Sequence, residues 1–259
     1  MRRSRFAFLC CADDDRRLAS LRQSIDALER PDGVEIGFFE VRDQPGLAAA
    51  YNRLRADAAG WRYKAYVHQD VEILNRNLVA DALLIFFRRR VAMIGAAGCR
   101  WLPDSLVWWD GSGVFGHVLE RHGDELRPLR LEEPAGDVEA VEAADGLCLV
   151  TQHDLEWDEA IPGFHFYDVA QSTRYLLAGY DVVVPRQPEP WFVHDAAPPA
   201  SVDWEAYSRS REAYRKRYDA ARREFWAAPV RRRLRRFAAA LPWLSKSGRS
   251  SGHTIRRPR

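Results

Sequence analysis

"AYVHQDVEIL", residues 65–74, is the stretch whose reading decides the fold. Ala65, Tyr66 and Val67 are buried-strand residues. His68, Gln69 and Asp70 then interrupt them with an imidazole, an amide and a carboxylate, and Val71, Glu72, Ile73 and Leu74 resume an apolar pattern. Polar groups cost free energy inside a core unless they find partners. At the carboxyl edge of an open parallel sheet, where ligands bind, they can face a ligand instead. The neighbouring segments therefore matter: they must supply the rest of such a sheet.

They do so in order. Residues 5–11 read as a strand. Residues 16–28 place Leu18, Leu21, Ile25 and Leu28 at helical spacing, and Pro31, Asp32 and Gly33 form a turn. Residues 34–41 are a second strand, 47–59 an Ala-rich helix closed by Gly60, and 63–67 the third strand, ending at the His-Gln-Asp step. Residues 77–90 form another amphipathic helix and 91–99 a fourth strand. This alternation predicts an α/β sheet of parallel strands with helices on both faces. Residues 101–134, rich in Gly, Trp and charge, read as an irregular excursion or a short antiparallel pair. Residues 138–151 return to strand character, broken at Asp145-Gly146. Residues 166–178 form a helix capped by Gly179, and 181–185 a last strand.

The bulk numbers agree with one substantial core: 259 residues, 47% of them hydrophobic. No apolar run approaches the ~20 residues needed to span a bilayer, and residues 1–15 lack the long apolar region of a secretory signal. Cys10, Cys11, Cys99 and Cys148 have no zinc-ligand spacing and are expected to be free thiols in a reducing cytoplasm. The net charge of +2 hides an asymmetry. Residues 204–259 hold 17 basic and 4 acidic side chains, a net +13, and residues 1–203 hold 22 and 33, a net −11. Within the tail, residues 230–244 (VRRRLRRFAAALPWL) mix five arginines with large apolar residues. That mixture reads either as a segment lying on an anionic membrane surface or as a solvated helix. A disordered end is expected from Ser245.

Several polar groups are candidates for chemistry, each with a structural alternative. Asp70 is a metal ligand or a loop cap. His194, in Pro190-Trp191-Phe192-Val193-His194-Asp195, is a second ligand or a hydrogen-bonded structural residue. Asp168 is either a general base or an acidic residue favoured by its helix N-terminus, with His165 beside it. Asp145-Gly146 is a hydroxyl-binding step or a bulge. Trp101, Trp108, Trp109, Trp157 and Trp191 stack on sugars or fill core, and core is the commoner use. The sequence has no Gly-x-x-x-x-Gly-Lys loop, no Gly-x-Gly-x-x-Gly after the first strand and no Gly-x-Ser-x-Gly elbow.

Taken in order, Ala50-Tyr51-Asn52, Tyr66-Val67-His68-Gln69-Asp70-Val71, Met93-Ile94-Gly95, Ala144-Asp145-Gly146, Thr151-Gln152-His153-Asp154, Phe164-His165-Phe166-Tyr167-Asp168, Ala178-Gly179-Tyr180 and the Pro190–Asp195 run resemble the glycosyltransferase-like family 2 group that includes a streptomycin-biosynthesis protein. The resemblance covers about residues 5–218. It implies a GT-A-type nucleotide-sugar-binding fold: a mixed central sheet flanked by helices over residues 1–203, followed by a basic helical extension over 204–259. His68-Gln69-Asp70 stands where such enzymes usually carry Asp-x-Asp. Asp70 matches the direct metal ligand, and His68 replaces the first carboxylate. Asp168, Arg174 and Gly179 match the spacing of the catalytic base, with Tyr167 where a Glu is common. His194 matches the late His that completes the metal site.

The resemblance thus implies an inverting transferase that moves a sugar from a nucleotide-diphosphate sugar to an acceptor hydroxyl on a glycan, a lipid-linked carrier or a small molecule. Mg²⁺ or Mn²⁺ would be held by Asp70 and His194, and Asp168 would act as base. Asp13, Glu40, Asn52, His68, Gln69 and Asp70 would contact the nucleotide sugar, and Asp145, Gly146, Trp109 and His165 the acceptor. The expected location is cytoplasmic, including the inner face of the membrane, with no nucleic-acid partner. Two rivals stand beside it: a GT-A-fold protein that binds nucleotide sugar or glycan without turnover, and a nucleotidyltransferase. The second would want a Gly-rich basic loop where Cys10-Cys11-Ala12-Asp13-Asp14-Asp15 is acidic.

Overall fold

The computed structural model describes residues 4–195 and 202–228. Contacts group the chain into two units, Met1–Asp219 and Ala220–Arg259. In the second unit the described element is helix α6 (Ala220–Ala227). Residues 230–244 and the end beyond Ser245 lie outside the described residues. No helix among those described is long and apolar enough to cross a membrane.

The first unit begins as the sequence predicts. Strand β1 (Ser4–Cys11) leads to helix α1 (Asp15–Asp26), β2 (Val34–Val41), α2 (Leu47–Asp57) and β3 (Tyr63–Val67). Strands β1, β2 and β3 are parallel, with β1 in the middle. Alternation along β1 sends Phe6, Phe8 and Cys10 to one face and Ala7 and Leu9 to the other. On the first face they pack against Leu18, Leu21 and Ile25 of α1, and against Val79 and Phe86 of α3 (Leu78–Phe86). On the second face Leu54 and Tyr51 of α2 meet Tyr66, Trp157 and Tyr175. Two apolar layers on one sheet are what parallel strands with helical crossovers require.

Beyond β3 the sheet is mixed, as the family resemblance implies, and the parallel run read from the βα alternation does not continue. The seven-stranded order is β2-β1-β3-β11-β5-β12-β9, where β5 is Val91–Gly95, β9 Val138–Ala140, β11 Cys148–Thr151 and β12 Asp181–Pro185. Strand β11 inserts antiparallel between β3 and β5, and β9 is antiparallel to β12. Asp145-Gly146 joins β10 (Ala143–Ala144) to β11 without reversing the chain: both strands run antiparallel to residues 93–99, and the register shifts across that step.

The fourth strand is also two strands. Residues 91–99 break at Ala96 into β5 and β6 (Ala97–Trp101). Gly95 lies so close to the crossing chain that a Cβ there would come within 2.5 Å of Ala144 Cβ. Strand β6 joins a second sheet, β10-β6-β7-β13-β4, with β4 at Val71–Ile73, β7 at Ser112–His122 and β13 at Phe192–His194. The Gly- and Trp-rich excursion resolves into the antiparallel pair β7 and β8 (Glu125–Arg130), longer than the short pair expected from sequence.

Helix α4 (Tyr167–Leu177) covers the second core layer, and α5 (Trp204–Tyr214) with a π-helical turn (Arg215–Asp219) closes the first unit. Tyr214 and Tyr218 are buried there. Thr173 Oγ1 and Tyr214 Oη share a hydrogen bond of 2.8 Å. Ser210 Oγ lies 2.7 Å from the Pro162 carbonyl. All four cysteines are free, and Cys10, Cys99 and Cys148 are buried. Burial pushes the Cys148 thiol up to about 12, so it stays protonated and inert.

The central strand sets a stability test. Leu9 is fully buried on β1, so Leu9→Ala should lower unfolding free energy by about 2–5 kcal/mol. Leu84, 64% exposed on α3, should tolerate Ala within about 0.5 kcal/mol. Urea denaturation of the two variants against wild type checks the contrast.

Candidate active site

Both sheets deliver polar groups to one edge. β3 ends at Val67, and His68 follows with its N–H donated to the Leu147 carbonyl at 3.0 Å. β4 begins at Val71, leaving Gln69 and Asp70 on the step between the sheets. β13 runs antiparallel to β4 with His194 opposite Val71. The Asp195 N–H donates to the Asp70 carbonyl at 2.8 Å, which locks the two chain segments together. The opening stretch breaks because one strand passes from the first sheet to the second at these three residues.

The result is a compact triad. Asp70 Oδ1 lies 3.6 Å from His194 Nε2 and 3.9 Å from His68 Nδ1. The three donor atoms all fall within 4.8 Å of one another. Asp70 Oδ1 is buried without a hydrogen-bond partner among the described residues. A buried carboxylate oxygen left unpaired is expensive, and a cation bridging the triad would satisfy it. Burial is the main influence holding His68 below the ordinary imidazole range, with His194 adding to it and Asp70 opposing. A neutral imidazole is the form that ligates a metal. The residues present therefore fit a divalent ion. Two nitrogens and one carboxylate suit Mn²⁺ better than Mg²⁺, which prefers an all-oxygen shell.

The other ring nitrogen of His68 reaches α4. That nitrogen, Nε2, forms a short hydrogen bond with Tyr167 Oη, the first residue of α4. Phe166, just before it, holds a left-handed backbone at φ 60° and packs edge-on to Tyr207 at 4.8 Å. That turn aims Tyr167 and Asp168 at the sheet edge. Asp168 Oδ2 accepts from the Gly146 N–H at 3.1 Å, and Oδ1 accepts from the Val169 N–H at 2.8 Å. Gly146 has no alternative: a Cβ there would fall 1.9 Å from Tyr167 Oη. Burial, and then the Asp145 charge, raise the Asp168 carboxyl to about 7, against the pull of its backbone hydrogen bonds. A carboxyl poised there can hold or release a proton near neutral pH.

A family model described as Glycosyltransferase like family matches residues 7–218. The chain belongs to the glycosyltransferase-like family. Three similar solved structures are GalNAc-T7 with UDP, GalNAc and Mn²⁺ (TM-score 0.55, 11% identity), S. aureus TarS 1-349 with UDP-GlcNAc (0.52, 9%), and the mannosyltransferase PcManGT from Pyrobaculum calidifontis with GDP-Man and Mn²⁺ (0.52, 13%). They match 87%, 81% and 85% of this chain, which spans 51%, 65% and 65% of theirs. At these identities they identify the fold, which is GT-A. No protein of curated function matches the sequence.

The remaining candidates of this glycosyltransferase-like chain divide. Asp13 stands at the same edge: Gln69 Oε1 accepts from the Asp13 and Asp14 N–H groups, each at 2.9 Å, and Gln69 Nε2 donates to Asp13 Oδ1. Gln69 thereby ties the loop after β1 to the triad. Glu40 ends β2 against Arg22 and Arg42, and the Arg22 hydrogen bond holds its carboxyl below the usual range. Asp145 Oδ1 accepts from the Leu147 N–H at 2.8 Å, beside Asp168.

Asn52 is turned elsewhere. Its amide bonds the Trp157 backbone in both directions at 2.9 Å and Glu159 Oε1 at 2.7 Å, clamping α2 to that loop. Trp109 is 44% exposed on a 3-10 turn, edge-on to Trp108. His165 packs edge-on to Tyr207 of α5 at 5.1 Å, and burial lowers its pKa.

Two site residues were not among the sequence candidates. Tyr167 was noted only as a departure from the family pattern, and its neighbourhood to His68 depends on the turn at Phe166. Arg17, in the first turn of α1, lies 3.9 Å from Asp70 Oδ2 and 3.4 Å from Asp195 Oδ2. Its position just after the acidic loop was the sole sequence signal.

Tyr167 fixes the ring of His68 by its far nitrogen, and such partners typically contribute 10–100-fold to metal affinity. Tyr167→Phe should fold and bind Mn²⁺ about 10-fold more weakly than wild type, read by electron paramagnetic resonance of free and bound Mn²⁺. Equal affinity in the two proteins would remove Tyr167 from the site.

Proposed function

We propose that the chain is an inverting, metal-assisted glycosyltransferase that moves a sugar from a nucleotide-diphosphate sugar to an acceptor hydroxyl. The observation that carries this is the pairing of the His68–Asp70–His194 triad with the Asp168 carboxyl at one sheet edge, joined through Tyr167. Family membership supports it, as do the UDP, UDP-GlcNAc, GDP-Man and Mn²⁺ named for the similar structures.

On this reading His68, Asp70 and His194 would hold a divalent ion, Mn²⁺ or Mg²⁺, which would supply positive charge beside the departing diphosphate. Gln69 keeps the β1 loop and Asp13 against the nucleotide side of the site. Asp168 accepts the proton of the acceptor hydroxyl as that oxygen attacks the anomeric carbon. The Gly146 and Val169 N–H groups fix the carboxylate while it does so. Asp145, next to Gly146, orients the acceptor and sustains the raised affinity of Asp168 for protons.

Asp168→Asn should retain fold and donor binding and lose about 10²–10⁴-fold in kcat. Because the base must be ionised, kcat/KM for wild type should rise with pH through about 7 and level off above it. Calorimetry with UDP, GDP, dTDP and CDP, with and without Mn²⁺, identifies the donor base. Asp70→Ala should abolish the metal-dependent part of that binding. Full turnover in Asp168→Asn would reassign the base. Diphosphate binding without turnover of any nucleotide sugar would favour a non-catalytic binding protein.

A further inference from the structure

Arg17 has a charged neighbourhood with no structural purpose evident in the fold. Its guanidinium stands between two carboxylates as an ion pair with each, Asp70 Oδ2 at 3.9 Å and Asp195 Oδ2 at 3.4 Å. Its side chain is 35% exposed, so a rotamer change needs no rearrangement of the core. The backbone N–H groups of Arg16 and Arg17 are already taken by Asp14 Oδ1, at 2.8 and 3.0 Å. The N-terminus of α1 therefore offers little to an incoming anion, and the side chain is what remains.

The charges give Arg17 a role. A divalent ion held by Asp70 beside Asp195 leaves a net charge of zero across the three groups. Asp13, fastened to Gln69 at the same edge, makes the surroundings more negative still. A diphosphate approaching that cluster gains little from the metal alone. One guanidinium brings the set, Asp13 included, from −1 to neutral, and its planar fork matches phosphate oxygens in a way a carboxylate pair at 3.4–3.9 Å leaves unfulfilled.

We propose that Arg17 is a phosphate ligand of the donor site: it stands in for the cation at Asp70 and Asp195 when the triad holds no metal, and turns its fork to the diphosphate once a divalent ion takes Asp70. This rests on the donor reading above. It makes two demands that point in opposite directions. Without nucleotide, Arg17 competes electrostatically with the metal, so its removal strengthens metal binding. With metal, it holds phosphate, so its removal weakens diphosphate binding.

The test uses the full chain, with Arg17→Ala and Arg17→Lys. Mn²⁺ alone is titrated by electron paramagnetic resonance. The nucleoside diphosphate that binds wild type, and its monophosphate, are then titrated by calorimetry at saturating Mn²⁺. Circular dichroism and thermal melts confirm that the variants fold. Arg17→Ala should bind Mn²⁺ at least as tightly as wild type, up to several-fold tighter, and bind the diphosphate about 10- to 100-fold more weakly. Monophosphate affinity should change far less, and Arg17→Lys should fall between, since it keeps the charge and loses the fork. Unchanged diphosphate affinity in Arg17→Ala overturns the proposal, as does an equal loss for both nucleotides or a weakened Mn²⁺ affinity. If wild type binds none of UDP, GDP, dTDP and CDP, the donor reading itself falls and the role of Arg17 falls with it.

Discussion

The hydrogen bond between Tyr167 Oη and His68 Nε2 is the constraint on which the site depends. It joins the end of a central strand to the first residue of a helix 99 positions later. Three features of the fold cluster around that bond. Position 146 must be glycine, since the phenol occupies the space of its Cβ. Phe166 must accept a left-handed backbone, a conformation that costs a non-glycine residue about 1–3 kcal/mol. The chain shifts register at Asp145-Gly146, where the Gly146 N–H reaches Asp168. The same bond orients His68 toward Asp70, so the His68–Asp70–His194 cluster and the helix that carries Asp168 share one link.

This coupling bears on the electrostatics. The site gathers Asp13, Asp70, Asp145, Asp168 and Asp195 along one edge, and like charges so close raise the cost of ionising the most buried of them. Asp168 has its carboxyl lifted to about 7 by burial and by Asp145. Asp70 lies instead beside Arg17 and the two imidazoles. Two carboxyl groups of the same chemistry thus sit in different surroundings, and burial beside a second carboxylate is what brings Asp168 to near-neutral pH.

Much of the first half was legible from residues 5–67. Helical spacing of Leu18, Leu21 and Ile25 and the apolar strands around them gave elements whose boundaries match within a few residues, because local periodicity there agrees with packing. The break at His68-Gln69-Asp70 was legible for the same reason: three polar groups cannot continue a core strand. The division of residues 91–99 was not. Every residue of β5 and the first three of β6 are buried apolar or glycine, so the change of sheet at Ala96 leaves no polar mark. The antiparallel insertion of β11 was equally silent, since a strand buried on both faces has the same composition whichever way it runs.

The site residues divide along the same line. Asp70, His194 and Asp168 could be placed because each sits at the end of a readable element, where a polar residue interrupts an apolar run. Asn52 belongs to a motif of the family resemblance, yet its amide is fully engaged with the Trp157 backbone and Glu159. A polar residue on a helix face records that it has partners, not which partners. Arg17 is the opposite case: its signal is weak because an arginine in a first helical turn normally faces water, and only the register of β13 against β4 brings Asp195 within its reach. Pairings set by strand register between distant segments are the part of this site that a sequence does not display, and they are what turn scattered acidic residues into one charged edge.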